Sequence, residues 1–122
     1  MKFEQDNPAG RNTFTGYGEG YVEVNRQRHA TSLVVSADRV ITDWPAKSIE
    51  ALTADHFAAV LALRPEIVLL GTGASFTFPP GPLLTPLRQA GIGVEVMDTP
   101  AACRTYNILL GEGRNVVAAL VV

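Results

Sequence analysis

Two stretches of this chain are apolar almost without interruption: residues 67–70, Ile-Val-Leu-Leu, and residues 116–122, Val-Val-Ala-Ala-Leu-Val-Val. Strands read this way when both of their faces are covered, because neither face then needs polar side chains. The two runs therefore belong in the middle of a sheet, with other elements packed on it. Between them the hydrophobic period changes. "GPLLTPLRQAG" (81–91) and "TPAACRTYNILLGEG" (99–113) carry helical spacing, while "GVEVMD" (93–98) alternates as a strand does. The second half is thus β-α-β-α-β, and right-handed crossovers make the strands around Ile67 and Val94 parallel.

The first half supplies antiparallel pairing. "GYVEVN" (20–25) and "RHATSLVVS" (28–36) are rich in β-branched residues around a short polar connection at 25–27, which predicts a hairpin. A third run, "RVITDW" (39–44), stops at Trp44-Pro45, where proline ends ladder pairing. From Thr53 the pattern "TADHFAAVLALR" predicts a helix over 53–64, with Thr53 as its N-cap and Pro65 as its end. Residues 1–12 are polar, contain Pro8 and Gly10, and read as a flexible arm, with order beginning near Gly16. The expected architecture is one α/β domain over 13–122: a mixed central sheet with an N-terminal antiparallel hairpin, a C-terminal β-α-β-α-β segment, and helices covering the sheet.

Composition narrows the function classes. At 122 residues, 47% of them hydrophobic, the chain can bury a sizeable core, yet no apolar run reaches the roughly 20 residues that span a bilayer. A net charge of −2 offers no field for a polyanion, so no nucleic-acid partner is expected, and Arg26, Arg28 and His29 read as a solvated hairpin tip. The first residues read as neither a secretory signal nor a transit peptide, so a cytoplasmic location is the expected default. One cysteine gives no disulfide, and His29 and His56 lack ligand spacing. No metal and no cofactor are expected.

Three features could carry chemistry. In "LLGTGASFTFPPGP" (69–82) a strand runs into Gly71 and Gly73, but Phe76 stands where a dinucleotide fingerprint needs its third glycine, and no helix opens from the turn. Either a plain strand-end turn or a ligand-facing loop fits. In "DTPAACR" (98–104) Thr99 can cap a helix, with Pro100 at the first helical position and Arg104 reinforcing the positive end of the helix dipole. Cys103 shares helical spacing with Tyr106, Asn107 and Leu110, so it is expected to pack inward and be inert. Thirdly, the loops that follow Leu70 and Val96 should emerge at one sheet edge, where open α/β folds bind ligands. Gly71, Gly73, Thr99 and Arg104 are the candidate ligand-binding residues of such a cleft. A charge at a helix end contributes only about 0.3–1 kcal/mol, against the about 8 kcal/mol of micromolar binding, so any anion held there is held weakly. No Ser-His-Asp or Cys-His arrangement and no paired carboxylates suggest a catalytic residue.

The order of "VLLGTG" (68–73) and "LRQAGIGVEVMDTPAACRTYNILLGEGRNVVAALV" (87–121), preceded by "ITDW", resembles a domain-of-unknown-function family of the Mth-like fold. That family includes mitochondrial complex I assembly factor three and the adipogenesis-associated Mth-like protein. The likeness extends over 16–122 and is most specific at Asp98, Thr99, Ala102, Tyr106 and Asn107. It implies an α/β domain with a mixed sheet, and a protein partner as in the assembly of a respiratory complex; it implies no catalytic mechanism. The expected function is a non-enzymatic interaction or assembly-factor-like module with an unidentified protein partner; the alternative is a small-ligand or anion-binding protein or enzyme using the cleft. A homo-oligomer is compatible with either.

Overall fold

The computed structural model describes residues 10–122, so the arm expected over 1–12 falls for its first nine positions outside the described residues. The strands are β1 (Phe14–Gly18), β2 (Tyr21–Val24), β3 (Gln27–His29), β4 (Leu33–Val35), β5 (Val40–Ile41), β6 (Ile67–Gly71), β7 (Gly93–Met97) and β8 (Val116–Leu120). The α-helices are α1 (Ala58–Leu61), α2 (Thr85–Gln89) and α3 (Thr99–Gly111). The strands form a five-stranded sheet in the order β5-β4-β8-β6-β7 and a separate three-stranded sheet, β1-β2-β3.

The two apolar runs are where their composition places them, as β8 and β6 in the interior of the larger sheet. β6 pairs in parallel with β7 on one side, Leu70 opposite Val96, and with β8 on the other, Leu70 opposite Ala119. Alternate residues feed two different cores. Val68, Leu70, Val117 and Ala119 face Phe57 and Val60 of the first helical segment and Leu83, Leu84 and Leu87 of the second. Leu69, Val116, Ala118 and Leu120 face Ala102, Cys103, Tyr106 and Leu110 of α3, together with Phe14, Val22 and Val24 of the small sheet. Both faces are therefore dry, which is why neither strand alternates.

The N-terminal half departs from the single hairpin that the sequence predicts. A strand, β1, precedes the first expected one and starts at Phe14 rather than near Gly16; a tight turn with Gly20 at φ +75° returns the chain into β2. Asn25 and Arg26 both have positive φ, 50° and 68°, the backbone of the two-residue hairpin turn that matches strand twist. The second predicted run is two strands in different sheets: β3 pairs with β2, whereas β4 pairs with β8 and β5. Hence the antiparallel pairing of the central sheet comes from β4, and the hairpin forms a layer of its own. The physical cause lies in burial. Leu33, Val34 and Val35 are all fully covered, which only an inner position of the larger sheet provides.

Both shorter helices are mixed. A 3-10 segment, Ala54–Phe57, leads into α1, and another, Gly81–Leu84, leads into α2. Pro86 lacks the N–H that in a continuous α-helix would donate to the Pro82 carbonyl, which accounts for the second case. Thr53 precedes the first as expected, its N–H donating to Nδ1 of His56 at 2.8 Å.

Candidate functional site

Three of the four candidate residues, Gly71, Gly73 and Thr99, meet at the C-terminal ends of β6 and β7, while Arg104 lies further along α3. The chain leaves β6 toward α2 on one face of the sheet and leaves β7 into α3 on the other, so the connections diverge here. Open α/β sheets commonly have their crevice at such a point. In this protein hydrogen bonds fill the crevice. The N–H of Thr72 donates to the carbonyl of Met97 at 2.9 Å, and that of Thr99 to the carbonyl of Gly73 at 2.8 Å. Gly73 N–H donates to Oγ1 of Thr99 at 2.9 Å, and the same hydroxyl donates to the carbonyl of Val121 at 2.7 Å. The N–H of Val121 closes the circuit on the carbonyl of Gly71 at 2.9 Å. One threonine thus joins the ends of three parallel strands.

The same network explains Gly71. A Cβ placed there would lie 2.7 Å from Cδ2 of Leu120, 2.8 Å from Oγ1 of Thr99 and 3.1 Å from its Cα. The glycine lets the start of α3 press against the sheet. Gly73, at φ +109° with open space around it, answers a backbone requirement instead.

The N-cap of α3 corrects the sequence reading. Asp98, not Thr99, occupies the cap position, and its carboxylate accepts from the N–H of Ala101 at 2.8 Å. Thr99 is the first helical residue and Pro100 the second. Both Asp98 and Thr99 are capping residue types; the choice falls on Asp98 because the hydroxyl of Thr99 is already engaged by Gly73 and Val121. The first-turn donors are committed: Thr99 N–H to Gly73, Ala101 N–H to the Asp98 side chain, Ala102 N–H to the Asp98 carbonyl at 3.0 Å. Pro100 has none. An anion at this helix start would meet the Asp98 carboxylate and no open amide.

Beside this edge, toward α3 and the small sheet, lies a cleft of about 620 Å³ lined by Tyr17, Tyr21, Gly73, Ala74, Thr99 and Pro100, among others. Gly73 and Thr99 line it, Gly71 sits beneath Thr99, and Arg104 reaches it through Tyr17, its Nη1 donating to the phenol oxygen at 2.6 Å. Among the described residues no buried side-chain polar atom lacks a partner, and no group of three or more His, Cys, Asp and Glu could hold a metal. Cys103 is fully buried, as its spacing predicts; burial pushes its thiol up to about 12, against the smaller opposing pull of the Arg104 charge.

Asn107 carries a role that sequence reasoning left open. Its buried amide accepts from Phe14 N–H at 2.9 Å and donates to the Phe14 carbonyl at 2.7 Å, as a neighbouring strand would. Tyr106 adds an edge-to-face contact with the Phe14 ring, centroids 5.1 Å apart, and donates its hydroxyl to the Asn12 carbonyl at 2.9 Å. These two residues dock the small sheet on α3. The available signal was an amide on the apolar face of a helix.

A five-stranded mixed sheet with helices on one face, and a long helix plus a second sheet on the other, defines a small α/β domain closed at its ligand-prone edge. It is similar to the solution structure of a Bordetella pertussis protein described as a Mth938-like domain: 34% identity, TM-score 0.81, covering 98% of this chain and 91% of that one. The chain belongs to the family described as protein of unknown function (DUF498/DUF598), which matches residues 14–121. It is 33% identical over 110 residues to the 13 kDa major membrane protein of Francisella tularensis, covering 88% of this chain and 89% of that protein. It is 42% identical over 83 residues to human NADH dehydrogenase [ubiquinone] 1 alpha subcomplex assembly factor 3, covering 66% of this chain. The matched region spans 45% of that human protein's length. Among the described residues, no helix is long and apolar enough to cross a membrane.

Proposed function

We propose that this chain works as a non-enzymatic interaction module of the assembly-factor kind, holding a protein partner rather than transforming a small molecule. The observation that carries this reading is its 42% identity to human assembly factor 3. The chemistry of the edge supports it. Thr99, Asp98 and the amides of Gly73, Thr99, Ala101 and Ala102 are spent on internal bonds. Affinity there must come from shape and apolar contact, the means by which protein partners are held at an interface core.

The test is a photo-crosslinking amino acid at Ala74, an exposed residue of the cleft, introduced in the native cells. The expected result is one recurrent cross-linked protein that forms a complex with the chain when both are purified. A second reading, a weak small-ligand site using Gly73 and Thr99 with Arg104, draws on the size of the cleft, which falls in the range of ligand pockets. It takes over if no protein is captured and if phosphate or nucleotide titration shifts the amides of Gly73 and Thr99 in the wild type but not in Arg104→Ala.

A further inference from the structure

Phe78 is 84% exposed and Phe76 is 45% exposed, both on the loop 72–80 that leaves β6. Their rings meet edge to face with centroids 4.6 Å apart, so the two form one aromatic tip rather than two scattered side chains. The tip stands on an ordered base: the buried Thr72 donates its hydroxyl to the Ser75 carbonyl at 2.7 Å and accepts from Thr77 N–H at 3.1 Å. Its position needs little further ordering when it binds.

Three observations define what can cover this tip. At roughly 200 Å² per aromatic side chain the exposed part amounts to about 260 Å², whereas a specific protein interface takes about 800 Å² from each partner. The pair is thus too small to seat a second copy or a protein by itself, but large enough to enter a medium that needs no matching surface. Secondly, Arg88 is the only charged residue between Glu66 and Glu95, so the sequence around the tip brings almost no charge to be dehydrated. Thirdly, Pro79, Pro80 and Pro82 follow directly and carry no N–H, which lowers the number of backbone donors that leave water with the rings.

We infer that the loop 72–80 docks the domain peripherally on a lipid bilayer by sinking Phe76 and Phe78 into the interface of neutral headgroups. The net charge of −2 gives no attraction to anionic lipid, so the contact is apolar and insensitive to salt. It goes beyond the protein-partner reading and does not rest on it: that reading uses the cleft side of the loop at Gly73 and Ala74, and this one its tip at Phe76 and Phe78.

The experiment is flotation of the purified chain with phosphatidylcholine vesicles at millimolar lipid, at low and at high salt. The wild type is expected to float in part, equally at both salt concentrations and no better when anionic lipid is added. Phe78→Ser and the double variant Phe76→Ser/Phe78→Ser should partition at least tenfold more weakly, with thermal melting unchanged because the rings lie outside the core. Absence of flotation overturns the inference, as does equal flotation of wild type and variants. Flotation that appears only with anionic lipid and is abolished by salt also overturns it. So does a wild-type dimer in solution that Phe78→Asp dissociates, since the second copy would then be the occupant.

Discussion

Replacing Thr99 with valine keeps the shape of the side chain and removes its hydroxyl, and with it two hydrogen bonds at the junction of β6, β7 and β8. The Val121 carbonyl belongs to a residue only 4% exposed, so it is left without a partner in a dry place, at a cost of about 1–3 kcal/mol. Gly73 N–H is half-buried and can turn to water, which keeps its share near the ordinary net value of about 1 kcal/mol. The sum, about 2–4 kcal/mol, is a large part of the stability of a small domain. With a urea slope of about 2 kcal/mol/M it lowers the midpoint by about 1–2 M at unchanged slope. Asp98→Ala removes only a cap and should cost about 1 kcal/mol. Urea melts followed by circular dichroism measure both, and amide exchange reports the site: Gly73 and Val121 should exchange faster in Thr99→Val. A Thr99→Val variant within about 0.5 kcal/mol of wild type, or one less damaging than Asp98→Ala, would refute the three-strand junction while leaving Asp98 as the cap.

Gly71→Ala should destabilise by about 1–3 kcal/mol because its new methyl meets Thr99 and Leu120, and Gly71→Ala combined with Thr99→Ser should recover little, since serine keeps the Oγ and Cα of that position and Leu120 is untouched; denaturant midpoints decide this. Asn107→Leu leaves both backbone groups of Phe14 unpaired in a buried place, so exchange should accelerate throughout β1 while β6 stays protected, with a loss of about 2–5 kcal/mol read from urea melts. Cys103 should alkylate slowly in the folded chain and rapidly in denaturant. Its folded thiol titrates at about 12, above an ordinary thiol, so the unfolded state loses its proton first and stability falls as pH rises from about 9 toward 12. Comparing wild type with Cys103→Ala at pH 7 and pH 10.5 isolates that slope; equal losses in the two proteins would contradict it.

The parallel part of the sheet was legible because β6 and β8 announce themselves by lacking alternation, and because Gly91 and the Asp98-Thr99-Pro100 sequence mark where helix and strand exchange. The partition of the first half into two sheets was not. Nothing local to residues 28–36 tells β3 from β4; the difference is that Leu33 and Val35 find α3 and β8, which are distant in the sequence. Of the candidate site, the shared edge of the two loops followed from parallel crossovers, but the roles within it did not. Gly71 stood on a loop that fitted either a plain strand-end turn or a ligand-facing one, and what its missing Cβ accommodates is Thr99; Asp98 against Thr99 is a choice settled only by the bonds that the Thr99 hydroxyl makes to Gly73 and Val121. Phe76 and Phe78 were visible as residues but not as a pair, since their contact depends on how Thr72 folds the loop.

The docking of the small sheet on α3 has a consequence for how the domain opens. No strand of β1-β2-β3 is paired with a strand of β5-β4-β8-β6-β7, so the ladder cooperativity of the larger sheet does not extend into the smaller one. What joins them is the Asn107 amide, the Tyr106 ring and hydroxyl, the Arg104–Tyr17 hydrogen bond, the bonds of Asn12 to Ser36 and Ala37, and an apolar seam. Such a layer can detach as a sub-global unit at less than the free energy of complete unfolding. Detachment would lift Tyr17 and Tyr21 away from Gly73 and Thr99 and uncover Phe14, Val22 and Cys103. The cleft therefore lies on the boundary between the two layers, with Tyr17 and Tyr21 of the small sheet as one wall and Gly73, Thr99 and Val121 of the larger layer as the other.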